Sequence, residues 1–170
     1  IELDSAGDEL DSDKLQRAIE DLCEGIETKD VEIESAVLFV NPKQYYTLLR
    51  NDKLVDGDYS LGNGDYAKGK IMETCGVPIF KTNRLPQETV VGHYLSNAGN
   101  DNAYDVSAEE SDVVALLLMP KALLAGETIP LTSDVYYVKQ ELQWFIDSYL
   151  AFGATPNRAE MSGQVRKFRA

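Results

Sequence analysis

Gly64 and the pair Gly69-Lys70 are separated by four residues in the run GNGDYAKGKI, residues 62–71, one residue short of the loop that cradles phosphates. That chemistry needs a Ser or Thr after the lysine to hold magnesium, a buried strand before the loop, and a helix after it whose N-terminal amides face the phosphate. Ile71 fills the hydroxyl position, the preceding residues are polar, and KIMETCGVPIF alternates as a hairpin does. The glycines therefore read as a loop that needs positive φ or close backbone approach, and not as a nucleotide site.

His93 is the only histidine, so a nucleophilic dyad has to join it to Cys75 or Cys23. A thiolate–imidazole pair also needs surroundings that lower the thiol pKa. A single histidine beside Tyr94 reads as structural, and a small cysteine hydrolase using Cys75 and His93 is kept as the alternative of another class. The acidic leader, with Asp4, Asp8, Glu9, Asp11 and Asp13, lacks the glycine and the bidentate glutamate that a calcium loop requires. DGDYSLGNGD, residues 56–65, offers oxygens without a repeat, and both stretches read as solvated faces. No catalytic residue, no cofactor and no metal site are expected.

The elements that would position any site belong to one chain of 170 residues, enough for a substantial core. Apolar residues at 44% and charged ones at 26% are globular values. The net charge of −13 is not, and it leaves little drive toward phosphate backbones or anionic lipid. No specific nucleic-acid binding and no membrane partner are expected. Copies of such a chain repel at low salt, so self-association has to rest on shape, apolar contact and strand pairing. Two cysteines are too few for a disulfide framework, which makes a reducing compartment and a soluble, intracellular protein the expectation. The start at Ile1, without methionine, suggests a longer natural product.

Leu15, Ala18, Ile19, Leu22, Cys23 and Ile26 recur at helical spacing, which predicts an amphipathic helix capped by Ser12 and ended by Gly25. AVLFV, residues 36–40, reads as a buried strand, and Asn41-Pro42 opens a short helix with Tyr45, Leu48 and Leu49 inward. A polar loop follows over 51–69, then a hairpin turning at Cys75-Gly76, a short strand at 90–94, a second polar loop over 95–112, and an apolar strand at 113–119 stopped by Pro120. Residues 135–152 fit a helix stripe and a strand face about equally; their β-branched and aromatic content leans toward strands, and periodicity leaves both readings open. The residues alone thus describe an α+β domain with two long polar loops.

The order helix, AVLFVNPKQYYTLLRN, LVDGDY, GDYAKGK and CGVPIF resembles the axial domain of tailed-bacteriophage major capsid proteins, the Hong Kong 97-like fold, and in particular its podovirus branch. Downstream, VVALLLMPKALLAGETIPLTSDVYYVKQELQWFIDSYLAFGATPNRAEMSGQVRK is similar to the C-terminal part of those proteins. Two departures stand out. The family's N-terminal arm, extended loop and spine helix have no counterpart before Ile1, and Arg158-Ala159-Glu160 stands where the family commonly has Arg-Pro-Glu.

The resemblance implies a C-terminal portion of a capsid subunit: 1–112 mostly axial domain, 113–153 peripheral-domain strands, and 154–170 a return strand to the axial domain. Residues 135–152 are then extended. The implied function is structural and non-enzymatic: self-assembly into hexamers and pentamers of an icosahedral head around packaged double-stranded DNA, located in the virion and assembled in the host cytoplasm. Implied partners are copies of the chain with scaffolding, portal and cement proteins. Gly64, Tyr66, Lys68, Gly69 and Lys70 become candidate capsomer-interface residues. An encapsulin-type nanocompartment shell shares the fold and is the related alternative.

Overall fold

The computed structural model describes residues 1–51, 64–65, 70–71 and 73–169. Helix α1, Ser12–Glu27, buries all six residues of the stripe read from the sequence. Its cap is Asp11, whose carboxylate accepts from the N–H groups of Asp13 at 3.0 Å and Lys14 at 3.2 Å, and not Ser12 as expected. A carboxylate is the stronger acceptor at the positive end of a helix. Gly25 does not end the helix either. It lies in the last turn, and the helix stops at Thr28, whose hydroxyl donates back to the Glu24 carbonyl at 2.8 Å.

Five strands form the central sheet in the order β4 (Glu73–Thr74), β5 (Val77–Lys81), β1 (Val37–Val40), β6 (Val113–Leu118) and β9 (Ser162–Arg166). β1 runs parallel to β5 and antiparallel to β6, which is antiparallel to β9. β1, β5 and β9 therefore point the same way. In β1 Leu38 and Val40 are buried while Val37 and Phe39 are half-buried, and β6 buries Val113, Val114, Ala115 and Leu117 with Leu116 and Leu118 half-buried, so both faces of these apolar runs are at least partly covered. Leu38, Val40, Val114, Ala115, Leu117 and Val165 are fully buried. α1 packs on this sheet across β9, where a Cβ added to Gly163 would lie 2.6 Å from Leu22 Cδ1.

Helix α2, Pro42–Leu48, starts as expected from Asn41-Pro42, although the Asn41 side chain makes no capping bond. Tyr45, Leu48 and Leu49 are buried. The hairpin β4–β5 turns on Cys75 (φ 50°) and Gly76 (φ 74°), two successive positive φ values that suit the right-handed twist of the flanking strands.

Residues 90–94 are not a strand. Val90 and Val106 form a single bridge that closes a loop, inside which the Asp105 carboxylate accepts from the N–H groups of Gly92 (3.0 Å) and His93 (2.9 Å). Those donors are spent on a side chain, so no ladder extends beyond Val90. Short helix α3, Ala108–Ser111, follows with a Ser107–Glu110 capping box and leads into β6.

From the end of β6 a 3₁₀ turn at Pro120–Ala122 sends the chain into β7 (Leu123–Val138), which pairs antiparallel with β8 (Gln143–Pro156) and returns through a second 3₁₀ turn at Ala159–Met161 to β9. The segment left open by periodicity is thus extended throughout, apart from the turn at 139–142. Among the described residues, no helix is long and apolar enough to cross a membrane.

Candidate assembly surfaces

The β7–β8 hairpin is long, two-stranded and uncovered. Strand alternation puts Val135, Ile146, Tyr137 and Trp144 on one face, and Tyr136, Phe145, Asp134, Asp147 and Tyr149 on the other. Ile146 and Trp144 are each 70% exposed, and Leu124, Leu131, Leu142 and Phe152 are open as well. Cross-strand rings are already in order: Tyr136 stacks on Phe145 at 5.9 Å and Tyr137 meets Trp144 at 5.2 Å. The Tyr136 hydroxyl donates to Asp147 Oδ2 at 2.6 Å, and that bond holds its pKa above the ordinary tyrosine value. An isolated two-stranded hairpin is marginal in water, and an apolar surface of this extent marks a place where protein meets protein. What the geometry offers is a contact arm and no chemistry.

A second exposed feature is the loop closed by Val90 and Val106. His93 sits between Tyr94 at 4.6 Å and Tyr104 at 5.8 Å, and its Nδ1 accepts from Leu95 N–H at 3.2 Å. Val91 and Tyr94 stand almost fully in solvent. Asn97 caps the turn at Ala98–Asn100 with a reciprocal bond from the Asn97 N–H to Asn100 Oδ1 at 2.9 Å, so the loop is shaped by its own polar groups.

Of the residues singled out in the sequence, Gly64 lies in β2 (Gly64–Asp65) and Lys70 in β3 (Lys70–Ile71), paired antiparallel as Gly64 with Ile71 and Asp65 with Lys70. Part of the expected loop is therefore a small ladder. Tyr66, Lys68 and Gly69 lie outside the described residues, as does most of the 51–69 loop. Tyr45 fixes the ladder to the core: its hydroxyl accepts from Ile71 N–H at 2.9 Å and donates to the Ile71 carbonyl at 3.3 Å.

Cys75 and His93 each have partners other than one another. The Cys23 thiol beside Cys75, and then Thr74, bring the Cys75 thiol down to about 7, against the opposing effect of burial. Cys23 itself is pushed well above the usual thiol range, first by the neighbouring Cys75 and then by burial on the inner face of α1. Among the described residues, no group of three or more His, Cys, Asp or Glu side chains is placed to hold a metal ion.

The exposed aromatic hairpin was not singled out as a site from the residues alone. Its signal was present in VYYVKQELQWFIDSYLAF, where large apolar side chains fill both strand faces, a pattern that a half-buried strand lacks.

Residues 8–132 match the family model described as Gp10A-like: Major capsid protein, and the chain belongs to that family. Its fold is shared with the asymmetric unit of the bacteriophage PhiM1 mature capsid, at 24% identity and a TM-score of 0.80 over 98% of this chain and 50% of that one. The capsid structure of the cyanophage P-SCSP1u matches at 17% identity and a TM-score of 0.80, over 100% of this chain and 52% of that one. A chain from Mycobacterium phage Che8 matches at 17% identity and a TM-score of 0.65, over 91% and 49%. No curated protein matches the chain. The chain spans about half the length of these solved capsid chains. The α+β capsid fold expected from the resemblance is the fold of the chain, and a major capsid protein has a structural role.

Proposed function

We propose that the chain is the C-terminal portion of a phage major capsid subunit that self-assembles into hexamers and pentamers of an icosahedral head around double-stranded DNA. The observation that carries this reading is the β7–β8 hairpin, whose two faces both present large apolar side chains to solvent in a member of a major capsid protein family. A shell subunit works by geometry and needs edges that meet copies of itself. In this reading 1–112 is mostly axial domain, 113–153 supplies peripheral strands through β7 and β8 while its β6 stays in the central sheet between β1 and β9, and 154–170 returns to the axial domain. The stretch from Gly64 to Lys70, with Tyr66, Lys68 and Gly69, faces neighbours around the capsomer axis. The net charge of −13 suits a container that must not grip the DNA it stores. The subunit is located in the virion, is assembled in the host cytoplasm, and works with scaffolding, portal and cement proteins.

The test places charge on the arm. Val135 and Ile146 face each other across the hairpin and are both solvent-exposed, so Val135→Lys with Ile146→Lys should leave the far-UV circular dichroism of the chain unchanged. Particle formation by the full-length subunit should be lost. Normal particles from the double variant would remove the hairpin from the contact surface.

A further inference from the structure

β1, β5 and β9 run in one direction, and their carboxyl ends open on the same side of the sheet. Asn41 directly follows β1, Asn83 lies two residues past β5, and Lys167 directly follows β9. Together with Lys43, Gln44 and Glu9 they line a polar hollow of about 330 Å³. Crevices outside the carboxyl ends of strands are recurrent ligand sites in α/β sheets.

Two observations say that this hollow is built to receive something. Asn41 is only 6% exposed, yet its Oδ1 has no hydrogen-bond partner, an uncommon state for a buried acceptor. Lys43 and Lys167 both line the hollow on a chain of net charge −13, and among the described residues neither is within 4.0 Å of an acidic partner. Of the other lining groups, Gln87 Nε2 donates to Asn83 Oδ1 at 2.9 Å, and Glu9 Oε2 accepts from Gly7 N–H at 3.1 Å. Lys167 is anchored by its backbone, whose N–H donates to the Asp112 carbonyl at 2.9 Å.

The geometry points to a pocket for a carboxylate-bearing stretch of polypeptide from a second copy of this chain, its carboxylate between Lys43 and Lys167 and its backbone N–H on Asn41 Oδ1. A bare anion satisfies the lysines and leaves the Asn41 acceptor orphaned, whereas a peptide supplies the anion and the donor together. Asn41 Oδ1 is withdrawn from solvent, so the amide turns about its soft terminal torsion to meet the incoming N–H. The source follows from composition, because 29 Asp and Glu against 16 Lys and Arg make acidic segments abundant on every neighbouring copy. The choice of a second copy rests on the shell reading above; the pocket chemistry does not.

The experiment has two arms. In the first, the ¹⁵N-labelled chain is titrated with acetyl-Gly-Glu-Gly-amide, the matched Gln peptide, or inorganic phosphate. Only the Glu peptide is expected to shift the Asn41 side-chain amide and the Lys43 and Lys167 backbone signals, and Lys43→Glu with Lys167→Glu should weaken it by about tenfold or more. Circular dichroism confirms that this variant folds. Equal shifts with phosphate or the Gln peptide, or no shifts at all, overturn the proposal. In the second arm, particles of the full-length subunit assembled from mixed ¹⁴N and ¹⁵N copies are treated with a carbodiimide, which joins a lysine amine to a touching carboxylate. Mixed-isotope crosslinks at Lys43 or Lys167 support the second copy as occupant; crosslinks confined to other lysines overturn it. Failure to form particles contradicts the shell reading and with it the second copy as occupant, while the first arm still decides the pocket chemistry.

Discussion

Gly163→Ala tests whether β9 closes the sheet beneath α1, the packing on which the base of the hairpin depends. The new Cβ would stand 2.6 Å from Leu22 Cδ1, 3.3 Å from Leu22 Cγ and 3.4 Å from Ile26 Cδ1. Leu22 is 6% exposed and Ile26 3%, but both line a hollow of about 250 Å³ beside Gly163, so the flexible end of Leu22 relieves part of the clash by turning. Overpacking of this kind costs about 1–3 kcal/mol. The loss of unfolded-state freedom on replacing glycine offsets about 0.4–1 kcal/mol, leaving a net destabilisation between about zero and 2.6 kcal/mol. With a urea slope on the order of 2 kcal/mol per M, the unfolding midpoint should fall by up to about 1.3 M. The transition is best followed by far-UV circular dichroism, since the sole tryptophan, Trp144, sits on the hairpin and away from this contact. Gly126→Ala is the control: nothing lies within 4 Å of its Cβ position, so its midpoint should hold or rise slightly. A Gly163→Ala midpoint as high as that of Gly126→Ala, with unchanged slope, would refute the packing of α1 against β9.

Further perturbations address other joints of the structure. Tyr45→Phe removes the hydroxyl that serves both backbone groups of buried Ile71, and should cost about 1–3 kcal/mol in urea unfolding; an unchanged midpoint would mean that β3 is not anchored there. Alkylation by iodoacetamide, followed by mass spectrometry, should label Cys75 and spare Cys23 in the folded chain. The thiolate is the nucleophile, so the Cys75 rate should climb as pH rises through about 7, and a midpoint near the ordinary thiol value would remove the effect of Cys23 from the account. Glu110 is held below the usual carboxylate range, first by the Ser107 N–H and then by the Ser107 hydroxyl. Its folded-state pKa is the lower one, so its stabilisation is present above the unfolded value and fades as pH falls through the folded one. Glu110→Gln should therefore flatten the acid side of the stability profile, and an unchanged profile would count against the capping box.

Much of the scaffold was legible because single elements carried complete local signals. The stripe from Leu15 to Ile26, the buried run AVLFV, Asn41-Pro42 at a helix start and Cys75-Gly76 at a tight turn each combine spacing with backbone preference, and each element forms where it was read. The errors arose where two local preferences competed. Asp11 and Ser12 are both good caps, and charge at the positive helix end decides between them. VVGHY has strand composition, yet Asp105, twelve residues after His93, captures its amides, a pairing that a short window does not contain. The hairpin was ambiguous for a different reason: a strand apolar on both faces loses the alternation that distinguishes it from a helix. Of the candidate surfaces, the pair Gly64 and Lys70 was noticed through its glycines. The hollow at the strand ends was invisible in the sequence, because Asn41, Asn83 and Lys167 meet only once β1, β5 and β9 are aligned.

The central claim is that this chain is built to meet copies of itself, and electron microscopy of the full-length product across a salt series tests it most directly. Screening should relieve the repulsion that this chain's net charge of −13 contributes between copies, so closed polyhedral particles are expected as salt rises. A folded product that stays monomeric at every salt concentration would contradict the account.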